Sequence, residues 1–171
     1  MDALKAAVVL FVAVVLQVSV LAAYRPLGGT ADLLLVSLLG VALLRGSVFG
    51  AVAGFGAGLL LDVAHLAALG FTSLLLTLGG FWIGRYGETT ARDRAHAPYL
   101  SVGVVTVLYA LGALALRFVL GEAVPAHAVL AGLPASVLLN LILTWPVYGL
   151  VRRLFPPPLP AAADVRLLGP A

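Results

Sequence analysis

Six apolar runs, separated by short clusters of charge and turn residues, take up most of this chain: Leu4 to Ala23, Asp32 to Leu44, Ser47 to Leu61, Leu69 to Tyr86, Tyr99 to Leu120 and Ala128 to Leu150. A soluble domain of 171 residues cannot hide so much apolar helix, because too few polar side chains remain to form its surface. With 63% of residues hydrophobic and 10% charged, the chain reads as an all-α integral membrane protein. The expected architecture is a six-helix transmembrane bundle forming one domain over residues 1–155. The second and third runs are short. At about 1.5 Å per residue they reach only about 20 and 23 Å, against a hydrocarbon core of about 30 Å. They either extend into flanking residues or form a re-entrant hairpin, and both choices leave the two chain ends on one side.

Orientation follows from the cations. Lys5, Arg45, Arg85, Arg92, Arg94, Arg152, Arg153 and Arg166 fall on one side of this layout, Arg25 and Arg117 on the other. The positive-inside rule then places both termini in the cytoplasm. The formal charge of +3 is thereby a matter of topology, and no nucleic-acid-binding face is implied. The aromatic residues Trp82, Tyr86, Tyr99, Trp145 and Tyr148 gather at the cytoplasmic boundary, with Tyr24 nearly alone outside. Leu4 to Ala22 is expected to stay as a helix, since Lys5 is a thin basic region for a signal peptide and no small-x-small cleavage site follows. Beyond Phe155, Pro156, Pro157, Pro158 and Pro160 favour an extended, solvated cytoplasmic tail over residues 156–171.

Chemistry is thinly represented. The absence of cysteine excludes a disulfide framework and a thiolate metal site. His65, His96 and His127 lie on three separate loops, so no cofactor or metal is expected, and Ser47 has no histidine near it in sequence for nucleophilic catalysis. Neither a phosphate-binding loop nor a dinucleotide turn is present.

Packing residues are more prominent. Gly46, Gly50, Gly54 and Gly58 recur every fourth residue, broadened by Ala53 and Ala57, and so mark one smooth side of the third helix. Such a stripe serves either internal helix packing or a groove for another protein's helix. Asp62 ends the same helix, where a carboxylate opposes the helix dipole. It therefore needs a partner: an ion pair with Arg25 or Arg117, with His65 or His127 as weaker choices, a bridge to the next loop, or a binding partner. Asp32 and Arg45, by contrast, sit at the favourable ends of the second helix. Gln17, Asn140 and Thr144 are polar groups within apolar spans, expected to make interhelical hydrogen bonds. Pro134 and Pro146 are expected to bend the sixth helix or to mark its ends.

The central segment carries a resemblance. Ala31-Asp32-Leu33-Leu34-Leu35, Leu44-Arg45-Gly46, Gly50, Gly54-Phe55, Gly58-Leu59-Leu60-Leu61-Asp62 and Leu69-Gly70 resemble the rod shape-determining protein MreD family in order and spacing. The resemblance covers Asp32 to Gly84 and implies a non-enzymatic membrane component of the bacterial cell-elongation machinery. It implies MreC, which has a single membrane helix, as direct partner, with RodA, a class B penicillin-binding transpeptidase and MreB in the same machinery. The glycine groove, with Asp62 at its outer end, is the seat this suggests for MreC. The family is also similar in architecture to the substrate-binding subunits of energy-coupling-factor vitamin transporters. That alternative would place a small-molecule pocket near Gln17, Tyr24, Asp62 and His65.

Overall fold

A computed structural model describes residues 1–21, 28–66, 69–91, 96–121 and 126–156. Six α-helices follow one another: α1 (Asp2–Ser19), α2 (Leu33–Arg45), α3 (Ser47–Ala64), α4 (Phe71–Tyr86), α5 (Ala97–Val119) and α6 (Ala126–Leu154). A π-helical turn, Gly87–Ala91, prolongs α4. Four of these, α1, α3, α5 and α6, are long and apolar enough to cross a membrane. Tyr24, Arg25, Arg92, Arg94, Glu122 and nearly all of the proline-rich tail lie outside the described residues.

The helix least able to span is the axis of the bundle. α2 keeps the 13-residue length that the sequence suggests, and Leu34 through Leu44 are all buried, as expected of a helix that is apolar on every side. The other five helices pack around it. α2 begins at Asp32, whose Oδ1 accepts the Leu35 N–H at 3.0 Å, and stops at Gly46, whose φ of +96° lets the chain turn into α3. α3 runs three residues beyond the apolar run, through Asp62 to Ala64, and so reaches spanning length. α6 continues through both Pro134 and Pro146 rather than ending at either. Each proline removes one main-chain donor and leaves the rest of the hydrogen-bond ladder intact.

Both ends of the described chain meet at one end of the bundle. Arg45, the last residue of α2, pairs with Asp2 at 3.2 Å and lies 5.4 Å from the centre of the fully buried Phe155 ring. Ala6, Val41, Leu44, Val151 and Phe155 form a small apolar cluster beneath this contact. It ties α1, α2 and α6 together.

Candidate functional site

Gly50, Gly54 and Gly58 of α3 face α4, and α4 fills the space they leave. A methyl group built on Gly54 would fall on the Leu76 carbonyl, one on Gly50 on the Gly80 carbonyl, and one on Gly58 on the Ser73 backbone. The relation is mutual: Gly80 is pressed against the Gly50 carbonyl, and Gly84 against the Gly46 carbonyl. Two antiparallel helices thus touch main chain to main chain over about three turns, a distance of approach that any side chain would prevent. No room remains on this face for a second protein's helix. Ser73 adds a hydrogen bond across the seam, its hydroxyl donating to the Phe55 carbonyl at 3.0 Å.

The two ends of this seam carry the same device. α4 starts at Gly70, which has no side chain to cap the free N–H groups of the first turn. Asp62, fully buried at the end of α3, does this instead: its Oδ2 accepts from the N–H groups of Gly70 at 2.9 Å and Ser73 at 3.4 Å, and its Oδ1 from Thr72 at 3.0 Å. The carboxylate that opposes the dipole of its own helix faces the positive end of the next one. At the opposite end α3 starts at Gly46, also without a capping side chain. There the Oε1 of Glu88, from the π-helical turn after α4, accepts the Ser47 N–H at 2.8 Å, and the Ser47 hydroxyl donates to both carboxylate oxygens at 3.1 Å. Arg85 stands 3.7 Å from the same group. Each helix of the hairpin is capped by the carboxylate at the end of the other.

A second polar seam holds the start of α2. Gln17 on α1 donates to the Ala31 carbonyl at 3.0 Å and accepts the Leu33 N–H at 2.8 Å. On the other flank, α6 presents Gly132, Ser136, Asn140 and Thr144 at four-residue spacing. A methyl on Gly132 would strike the Gly28 carbonyl, and the Ser136 hydroxyl accepts the Thr30 N–H at 3.0 Å. Asn140 Oδ1 accepts the Asp32 N–H at 2.7 Å, while its Nδ2 donates to Thr106 Oγ1 on α5 at 3.0 Å. Thr144 bonds within its own helix, to the Asn140 carbonyl at 2.7 Å.

Asn140 and Thr144 are therefore expected to differ sharply on substitution. Asn140→Leu strands a buried N–H and a buried hydroxyl and should lower stability by about 1–3 kcal/mol. Thr144→Val removes only a bond that competes with the helix ladder and should cost under about 1 kcal/mol. Thermal unfolding of the purified protein in detergent checks the pair.

Of the residues proposed as partners for Asp62, Arg117 lies exposed in the last turn of α5, His65 is exposed, and Arg25 is outside the described residues. The contacts on Asp62 are instead backbone N–H groups of the following helix. Gln17 and Asp62, half of the small-molecule pocket envisaged near the outer surface, are taken up by main-chain bonds. The crevice between α2, α5 and α6 at Gly40, Ser101 and Thr144 is too narrow to admit water. Sequence reading missed Glu88, Ser136, Gly132 and the α4 glycines. The signal for the last was present, since Gly80 and Gly84 repeat the spacing of the α3 ladder.

The model of the rod shape-determining protein MreD family matches residues 3–155. The chain belongs to the MreD family. The match takes in all six helices and stops at Phe155, the residue that closes one end of the bundle. It extends the likeness of the central segment to both flanking regions. No curated protein and no solved structure matches the chain. As an MreD-family member it is a multi-pass membrane protein of rod-shape determination.

Proposed function

We propose that this MreD-family chain is a membrane scaffold that binds and positions MreC, and through it supports lateral peptidoglycan synthesis with RodA, a class B transpeptidase and MreB. One observation supports this most. The polar side chains between the helices, Asp62 and Asn140 fully buried and Gln17, Asp32 and Ser136 half-buried, hold helix ends and the start of α2 in place by hydrogen bonds to main chain. Such an interior makes a stiff body with apolar outer faces, suited to holding another membrane helix rather than to chemistry. Since α4 fills the glycine ladder, the MreC helix is assigned to a lipid-facing surface. The end that gathers Asp2, Arg45 and Phe155 also carries Lys5, Arg85, Arg152 and Arg153, against Arg117 at the other end among the described residues. By the positive-inside rule this end faces the cytoplasm.

Co-expression of the tagged full chain with full-length MreC, followed by size-exclusion chromatography in a mild detergent, is expected to give one co-eluting complex. Separate elution of two folded proteins would overturn the assignment of MreC. Depletion of the chain in its own cells should shorten the cell aspect ratio toward spheres in either case, since that outcome follows from the family's role.

A further inference from the structure

α6 has one face that the bundle does not use. Leu138, Ile142, Trp145, Gly149 and Arg152 recur at alternating intervals of four and three residues, and so line one side of the helix. All five are exposed, Leu138 to 58%, Ile142 to 64% and Trp145 to 76%. The opposite side, with Asn140, Thr144 and Val151, is buried. A methyl group on Gly149 would meet nothing within 4 Å, which leaves a notch between the Trp145 indole and the Arg152 guanidinium. Arg153 stands exposed beside Arg152.

Among the described residues neither arginine is matched by an acid. The two ion pairs at this end of the bundle place Asp2 on Arg45 and Glu88 on Arg85, and among the described residues no carboxylate lies within salt-bridge distance of Arg152 or Arg153. The α6 dipole supplies only about half a negative charge at its C-terminus, against two cations. A helix of 29 residues is about 43 Å long and outreaches a hydrocarbon core of about 30 Å, so its last turn stands at headgroup depth. Charge at the interface, an indole about two turns deeper and aliphatic side chains deeper still reproduce the profile of a phospholipid.

The geometry points to a seat for one anionic phospholipid on this face, its phosphate held by Arg152 and Arg153, its glycerol region over Gly149 beside Trp145, and an acyl chain along Ile142 and Leu138. A soluble anion would gain nothing from the aliphatic stretch. A neutral lipid would leave both guanidiniums without an anion.

The chain has two tryptophans, so Trp82→Phe leaves Trp145 as the sole indole reporter. This protein is reconstituted in phosphatidylcholine vesicles holding a minority of phosphatidylglycerol, with bromine on the acyl chains of one lipid or the other. Brominated phosphatidylglycerol is expected to quench Trp145 with an apparent preference of about tenfold over brominated phosphatidylcholine at equal mole fraction, from the attraction of two basic residues to an anionic headgroup. Arg152→Gln with Arg153→Gln should remove most of that preference, and the double Lys substitution should keep part of it. Equal quenching by the two lipids, or a preference unchanged by the double Gln substitution, overturns the proposal. Protection of Trp145 from both lipids also overturns it, because a protein surface then covers this face.

Discussion

Gly54→Leu is expected to yield no folded protein. The added side chain starts on the Leu76 carbonyl of α4, and the clash is with main chain, which cannot rotate away as a side chain does. Relief requires α3 and α4 to separate along their common seam. That would break the contact of Gly50 with Gly80 and of Gly58 with Ser73, and draw Asp62 and Glu88 away from the helix ends they cap. Overpacking at one core position typically costs about 1–3 kcal/mol, and here several contacts fail together, so the loss should rival the total stability of a small domain, about 5–15 kcal/mol. Gly54→Ala should retain some folded protein with a clearly lowered unfolding temperature. Gly56→Leu is the control. It lies on the same helix, is exposed, and a methyl there meets nothing within 4 Å, so it should leave stability unchanged or raise it by the helix preference of about 0.5–1 kcal/mol. Yield of monodisperse protein in detergent and its unfolding temperature separate the three variants. Equal behaviour of Gly54→Leu and Gly56→Leu would disprove the backbone contact.

The same seam shows what the sequence made legible. Helix positions could be read because each apolar run ends in charges or glycine, and the observed helices begin and end within about four residues of the runs. Close packing could be read from the glycine ladder. Its occupant could not, because spacing marks a smooth face without saying which helix lies on it. Asp62 shows a related limit. A carboxylate at a helix C-terminus is visibly misplaced, but whether a cation, a loop or a partner answers it depends on how the chain returns. The answering feature was the bare glycine at the start of α4, seen only once Gly70 is known to be an N-cap. Glu88 gave less signal, since an acid between two apolar runs needs no explanation until Gly46 is found opposite it. α2 is the converse case: its shortness suggested a hairpin, yet its buried surface on every side shows an axis. Thirteen apolar residues fit either, and only the five helices around them decide.

Asp62→Ala should therefore be among the most damaging single truncations of a polar side chain in this protein, more so than its location at a helix end suggests. Helix N-cap truncation usually costs about 1 kcal/mol, because water replaces the lost acceptor. Asp62 is fully buried, and three N–H groups lose their acceptor at once. At about 1–3 kcal/mol for each buried group left unsatisfied, and with the favourable charge at the α4 N-terminus also gone, the loss should reach about 3 kcal/mol or more. Asp62→Asn tests the geometry more finely. One amide oxygen can serve either Thr72 or the Gly70 and Ser73 pair, while the amide NH2 is turned toward donors on the other side, so this variant should recover less than half of the loss. Glu88→Gln should cost under about 1 kcal/mol, because Glu88 is exposed and its main-chain contact is with the Ser47 N–H. Denaturation followed by tryptophan fluorescence ranks the three. If Asp62→Asn matched the unsubstituted protein, the carboxylate would not be capping α4 through both oxygens. If Glu88→Gln proved the more damaging, the cap on α3 rather than the cap on α4 would hold the hairpin closed. The order expected, Asp62→Ala, then Asp62→Asn, then Glu88→Gln, follows from the number of buried donors each side chain satisfies and from its access to water.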